Sequence, residues 1–96
     1  MYIRMLNFQT IGNKKAEATM IMDTMMPIIK SQKGCKECMF MHDNDGSYAL
    51  LVFWETKENA DAAAGVIGPN MLPALNKISM EPVTPLLFEV YQPAFA

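Results

Sequence analysis

The chain has 96 residues, which is enough for one domain with a core, and 51% of its residues are hydrophobic. The net charge of −2, without a basic stripe, argues against nucleic-acid binding, and no apolar run is long enough to cross a membrane. The N-terminus lacks a signal-peptide pattern, and the chain has only two cysteines. We therefore expect a single domain over residues 1–96 that is cytoplasmic, with reduced thiols.

The first two predicted elements are a strand and an amphipathic helix. Residues Tyr2–Thr10 alternate imperfectly between two faces, which indicates a strand. From Lys14 to Lys33 the apolar residues recur at helical spacing. Asn13 is the expected N-cap of this helix, and Gly34 is a suitable residue to end it.

A β-hairpin is predicted next, around the turn Asp43–Gly46. Asn, Asp and Gly tolerate positive φ, and short apolar runs flank the turn on both sides. The second arm, Tyr48–Trp54, contains no charged residue, so both faces of this strand should be buried. A chain this short can cover one sheet face with helices, and a second copy is expected to cover the other. The two faces of the arm carry Tyr48, Leu50, Val52 and Trp54 on one side, and Ala49, Leu51 and Phe53 on the other.

The remaining pattern predicts helices followed by a last strand. Thr56 is the expected N-cap of a second helix, which the pair Gly68 and Pro69 should end. Pro69 can begin a short third helix that reaches Ile78. The run Leu86–Tyr91 is the last predicted strand. The order β-α-β-β-α-(α)-β predicts an α+β, ferredoxin-like fold with a four-stranded antiparallel sheet.

Cys35 and Cys38 form a C-x-x-C pattern that could suggest redox or metal chemistry. A redox pair should open a helix, whereas these cysteines enter a strand. A spacing of three on a regular strand sends the two side chains to opposite faces. A zinc site needs further ligands, and the chain has only His42. We therefore predict a structural role for both cysteines, with no disulfide between them and no metal.

Five residues are candidates for a binding or catalytic site, and each has a structural alternative. Asn7 either bonds a neighbouring backbone group or orients a ligand oxygen. His42 is either an exposed residue at a strand end or a proton shuttle at a pocket rim. Trp54 either fills the core or a dimer interface, or presents its indole N–H to a pocket. Met22 and Met25 are either core side chains or an adaptable wall for an apolar ligand.

Several segments together carry a resemblance to a known family. They are Asn7–Phe8, Met26–Ile29 with its Pro27, Gly34–Cys35, the Asp43–Gly46 turn and Phe53–Thr56. This pattern, which extends from Tyr2 to about Ile78, resembles the antibiotic biosynthesis monooxygenase-like family of dimeric α+β barrels. The resemblance implies a homodimer with two facing sheets and ligand pockets between each sheet and its helices. Some members of the family oxidise polycyclic phenols with O₂ and no cofactor.

Other members of that family cleave heme, using an asparagine on strand one with a histidine and a tryptophan on later helices. Asn7 matches the asparagine. Where the heme-ligating histidine would fall, this chain reads Gly68–Ala74 and has no histidine. We therefore expect no cofactor and at most weak uptake of heme, which normally needs an axial ligand.

The resemblance implies a cofactor-independent monooxygenase that acts on a small aromatic or polyketide-like substrate. In this interpretation Asn7 and Trp54 hold the substrate oxygen, and His42 is the only candidate for the base. The alternative is a non-catalytic dimeric protein of the same fold that binds small molecules or responds to stress.

The active site is expected between sheet and helices, around Asn7. The stripe of the first helix that contains Met22 and Met25 should face it, which makes an apolar chamber with one amide. The face of the first strand expected on that side carries Ile3, Met5, Asn7 and Gln9.

Overall fold

The computed structural model describes residues 1–94 of the chain. The four strands form one antiparallel sheet in the order β2-β3-β1-β4, which confirms the predicted α+β, ferredoxin-like fold. Within residues 1–94, neither helix combines the length and hydropathy that a membrane span requires. The elements are β1 (Tyr2–Gln9), α1 (Lys15–Ser31), β2 (Cys35–His42), β3 (Ser47–Trp54), α2 (Lys57–Ile78) and β4 (Leu86–Glu89).

Both helices pack on one face of the sheet, which we call the helix-side face. Leu50 of β3 is fully buried there, together with Ile29 of α1 and Leu75 of α2. Each helix thus contributes an apolar stripe to one shared core. The alternation predicted for β3 is observed, since one set of its side chains is buried and the other is half-buried. The buried set is Tyr48, Leu50, Val52 and Trp54.

The predicted orientation of β1 is wrong. Leu6 and Phe8 are buried under the helices, whereas Asn7 and Gln9 are exposed. Residues that lie opposite each other in antiparallel strands share a face, and Leu6 lies opposite Leu50. The face of β1 that turns away from the helices therefore carries Ile3, Met5, Asn7 and Gln9.

No element within residues 1–94 covers the second face of the sheet, which we call the open face. It is strongly apolar, with Met39 at 40% exposure and Phe88 at 48%. Among the described residues that the register places on this face, Glu37 alone is charged. Its apolar members are Ile3, Met5, Met39, Met41, Ala49, Leu51, Phe53, Leu86 and Phe88.

The second helix is longer than predicted, because Gly68 and Pro69 do not end it. Helix α2 runs without interruption through both Pro69 and Pro73 to Ile78, so the predicted third helix is its last part. Each proline removes one helical hydrogen bond, but both side chains are exposed, where water can satisfy the freed carbonyl groups. The buried stripe continues in helical register through Met71 and compensates for the lost bonds.

Both predicted helix starts are close to the observed ones. Helix α1 begins one residue late, with Lys14 at the N-cap position, and Asn13 Oδ1 accepts a hydrogen bond from the Lys15 backbone N–H at 3.3 Å. Thr56 caps α2 as predicted, because its hydroxyl oxygen accepts from the Asn59 backbone N–H at 3.0 Å.

The two cysteines do not diverge as predicted. A β-bulge between Cys35 and Glu37 shifts the register, so Cys35 lies opposite Trp54 and Cys38 lies opposite Val52. Both partners belong to the helix-side face, and so do both cysteines. Each is a free thiol. Burial raises the pKa of Cys35, and it raises the pKa of Cys38 to about 11.

We expect Cys38 to react slowly with alkylating reagents, because the thiolate is the reactive form. The shift from 9.0 to about 11 lowers its thiolate fraction at pH 8 by about a hundredfold. The rate of iodoacetamide modification, followed by mass spectrometry in a Cys35→Ser variant, should still rise above pH 10. A native Cys35–Cys38 disulfide, or modification of Cys38 at the rate of an unfolded control, would contradict this prediction.

Candidate functional site

An apolar cavity of about 90 Å³ lies between the helix-side face and α2. Leu50 and Trp54 line it from the sheet, and Met71 and Leu72 line it from α2. Arg4 of β1 supplies the one charged side chain among the described residues that line it. The cavity is therefore a small apolar space beside a single cation.

Small side chains on α2 leave room for this cavity. Ala60, Ala64 and Gly68 all line it and are spaced four residues apart, so they form one stripe along the helix. Larger residues at these positions would fill the space with side-chain atoms. The helix thus packs on the core through its large residues and leaves a gap along its small ones.

Two N–H groups beside this cavity are buried without a hydrogen-bond partner in the described part of the chain. They are the indole Nε1 of Trp54 and the guanidinium Nε of Arg4. Leaving a buried donor unpaired costs about 1–3 kcal/mol, and more for a charged group. Both residues line the cavity, so an acceptor atom bound there could pair with either donor.

The sheet register brings Arg4 and Trp54 close together. Arg4 lies opposite Val52, so it is the diagonal neighbour of Trp54 on the helix-side face. Arg4 Nη2 also forms an ion pair with Asp61 Oδ1 at 3.3 Å, which holds the outer end of the guanidinium. Asp61 accepts a second, shorter bond from Lys57 Nζ at 2.7 Å. That bond and the charges of Lys57 and Arg4 lower the pKa of the Asp61 carboxyl group.

A second depression, of about 620 Å³, lies at the turn end of the sheet. Asn7, Met41 and His42 contribute to its lining, as do Met80 and neighbouring residues after α2. Asn7 is exposed, and its amide Nδ2 donates to the sulfur of Met5 at 3.3 Å. This depression is wide and borders the open face, so it does not form an enclosed site.

The structure separates the residues that the sequence analysis grouped. Trp54 lines the cavity, whereas Asn7 and His42 border the depression. Met22 and Met25 of α1 are buried in the core and line neither the cavity nor the depression. Within residues 1–94, no group of three or more His, Cys, Asp or Glu side chains is placed to hold a metal ion.

Arg4 lines the cavity but was not among the residues predicted for the site. It is the only arginine in the chain, and it shares one strand face with the apolar residues Leu6 and Phe8. A lone cation on a face that packs against helices was the available signal, because buried charges are rare unless they have a partner or a function.

Comparison with known proteins finds clear similarity in fold but little similarity in sequence. No protein-family model matches the chain, and no curated protein matches it. Among solved structures, a protein from Deinococcus radiodurans, provisionally designated an antibiotic biosynthesis monooxygenase, has a TM-score of 0.83 at 12% identity. The match covers 100% of this chain and 98% of that one.

Two further structures show what else this fold accommodates. SnoaB, a cofactor-independent oxygenase from Streptomyces nogalater, matches with a TM-score of 0.72 at 20% identity, over 99% of this chain and 98% of that one. A protein of unknown function from Nitrosomonas europaea matches with a TM-score of 0.81 at 7% identity, over 99% and 93%. The resemblance to the antibiotic biosynthesis monooxygenase-like proteins is therefore confirmed at the level of the fold.

Proposed function

We propose that this chain is a cytoplasmic, cofactor-independent monooxygenase that oxidises a small aromatic substrate in the cavity between the sheet and α2. The observation that carries the proposal is the unpaired, buried indole N–H of Trp54 beside an apolar space. The fold shared with SnoaB supports it as an analogy. In this proposal Trp54 donates a hydrogen bond to the substrate oxygen.

The reaction converts an activated ring CH₂ group, the keto form of a phenol, into a carbonyl group. One oxygen atom of O₂ enters the substrate, the other leaves as water, and the substrate supplies all the electrons. No histidine or carboxylate lines the cavity among the described residues, and His42 lies at the other end of the sheet. The substrate must therefore be acidic enough to ionise without a protein base.

The same absence of a base favours the second candidate function, a non-catalytic small-molecule binder. A binding protein needs an apolar cavity and a few oriented polar groups, but no proton acceptor. Turnover distinguishes the two functions, because a binder would saturate with ligand without consuming O₂.

We propose further that the protein is a homodimer in which two open faces pack together. The open face is too apolar to remain in contact with water in a stable monomer. An interface of about 2,000 Å² or more is expected when two such faces meet. Asn7 lies on the open face, so it would lie at or near the dimer interface and outside the cavity.

Oxygen uptake with defined phenols tests the proposed reaction. Phloroglucinol has a single ring, and anthrone, the keto form of a three-ring phenol, represents the larger ring systems. With catalase present to exclude peroxide artefacts, the protein should accelerate O₂ uptake with phloroglucinol. Trp54→Phe removes one hydrogen-bond donor from a buried site and should lower the rate about a hundredfold.

Asn7→Ala is the matched control that separates the two candidate sites. If the reaction takes place in the cavity, this variant should keep its rate, because Asn7 does not line the cavity. A large loss in Asn7→Ala, together with an unchanged rate in Trp54→Phe, would place the reaction in the depression. Saturable binding of phloroglucinol without O₂ uptake would instead favour the binding protein.

A further inference from the structure

We infer that Arg4 makes this cavity selective for single-ring aromatic ligands that carry an ionised oxygen, such as a phenolate or an enolate. The inference rests on the proposed function for the location of the site, and it adds the ligand's charge and size. Arg4 acts here as a residue that determines specificity, since its contact is with the ligand's anionic oxygen.

The charge of the cavity lining favours an anionic ligand. Arg4 is the only cation among the described residues that line the cavity, and no acidic side chain lines it. The partner of Arg4, Asp61, lies on the exposed surface of α2 and also accepts a bond from Lys57. Asp61 therefore neutralises the Arg4 charge only in part. An anion in the cavity would meet one guanidinium group and no carboxylate in the lining itself.

The unpaired hydrogen-bond donors of the cavity also favour an anionic oxygen. The Asp61 ion pair engages Arg4 Nη2, which leaves Arg4 Nε–H buried without a partner. The Trp54 indole N–H is also unpaired, and its side chain is only 2% exposed. A phenolate oxygen has several lone pairs and can accept from both donors. Hydrogen bonds that involve a charged group are about twice as strong as neutral ones.

The size of the cavity limits the ligand to a single ring. An apolar cavity of about 150 Å³ in another protein binds benzene. The space of about 90 Å³ here therefore admits one ring only when a flexible side chain moves. Met71 and Leu72 line the cavity and can adapt, because Met has an unbranched, flexible side chain. Ligands with three fused rings would require α2 to move away from the sheet.

The test compares two probes of nearly equal shape, 4-nitrophenol and 4-nitrotoluene. Only the first can ionise, and its phenolate absorbs visible light, which reports on its protonation state when bound. The full-length protein should bind 4-nitrophenolate at least about tenfold more tightly than 4-nitrotoluene. It should also lower the pKa of bound 4-nitrophenol. Equal affinity for both probes, or an unchanged pKa, would overturn the inference.

Substitutions identify the residue responsible for the preference. Arg4→Met removes the charge and the N–H groups and should abolish the preference while 4-nitrotoluene still binds. Arg4→Lys keeps the charge and should retain part of the preference. Lys77→Gln is the matched control, because it removes a cation in the last turn of α2 that lies outside the cavity lining. A preference that survives in Arg4→Met or disappears in Lys77→Gln would assign the effect to something other than Arg4.

Nuclear magnetic resonance tests the role of Arg4 in the unsubstituted protein, so the result does not depend on whether a variant folds. The chain has one tryptophan and one arginine, so the indole N–H and the arginine Nε–H each give a single signal. Both signals should move downfield with 4-nitrophenolate and much less with 4-nitrotoluene. If neither signal responds to a bound phenolate, Arg4 does not hold it. Selective anion binding without O₂ uptake would contradict only the oxygenase proposal. Turnover with equal affinity for both probes would contradict only the inference about Arg4.

Discussion

Replacing Leu51 with lysine should convert the proposed homodimer into monomers. Leu51 lies in the middle of the open face, opposite Met5 on one side and Met39 on the other. A lysine there would bring an unpaired charge into an apolar interface in both subunits. We expect a loss of about 4 kcal/mol or more in association free energy, which corresponds to about a thousandfold increase in Kd.

Light scattering at micromolar concentration measures this effect directly. Val66→Lys is the matched control, because Val66 is 49% exposed on α2, far from the open face in the fold. It should leave the protein dimeric. Leu51→Lys should retain the circular dichroism spectrum of the folded chain, since Leu51 is not part of the buried core. A wild-type protein that is monomeric at these concentrations would contradict the proposal.

The features that were predicted correctly depend on local sequence. The hairpin follows from turn chemistry, and Asn44 and Gly46 have the positive φ angles that the pattern predicted, 64° and 92°. The two faces of β3 follow from the alternation of an uncharged run. The cap of α2 follows from Thr56 and the backbone N–H three residues later.

The features that were predicted wrongly depend on pairing between distant residues. Both alternating sets of β1 contain apolar side chains, so the sequence did not decide which set faces the helices. The pairing of Leu6 with Leu50 decides it. The bulge after Cys35 likewise depends on the fit of β2 to β3. Helix α2 continues through Pro69 because packing of its buried stripe outweighs local propensity.

The lining of the candidate cavity was not predictable because the residues that form it are far apart along the chain. Trp54 was identified for its indole N–H, but its partner donor comes from Arg4 on another strand. The space itself exists because small residues of α2 lie over that pair. Asn7 was predicted in the site because the orientation of β1 was predicted wrongly. In the structure Asn7 lies on the open face.

Replacing Gly34 with alanine should destabilise the protein by about 2–4 kcal/mol, because backbone strain and overpacking add at this position. Gly34 has a φ of 84°, and its carbonyl oxygen accepts a hydrogen bond from the Glu55 backbone N–H at 2.8 Å. A Cβ atom at this residue would lie 2.7 Å from Asn59 Cβ and closer still to Asn59 Cγ and Oδ1. Asn59 is held in turn by Thr56, whose hydroxyl group donates to Asn59 Oδ1 at 2.8 Å.

Gly12→Ala separates the two contributions, because Gly12 also has a positive φ, 67°, but a Cβ atom there would have no neighbour within 4 Å. This control should cost only the strain of the left-handed conformation, about 1 kcal/mol. Thermal unfolding at one fixed protein concentration should show a Tm about 10–20 °C lower for Gly34→Ala and a much smaller change for Gly12→Ala. Equal losses in the two variants would mean that Asn59 moves aside freely. The junction of β2 with the start of α2, which positions Trp54, would then be less rigid than the contacts of Gly34 indicate.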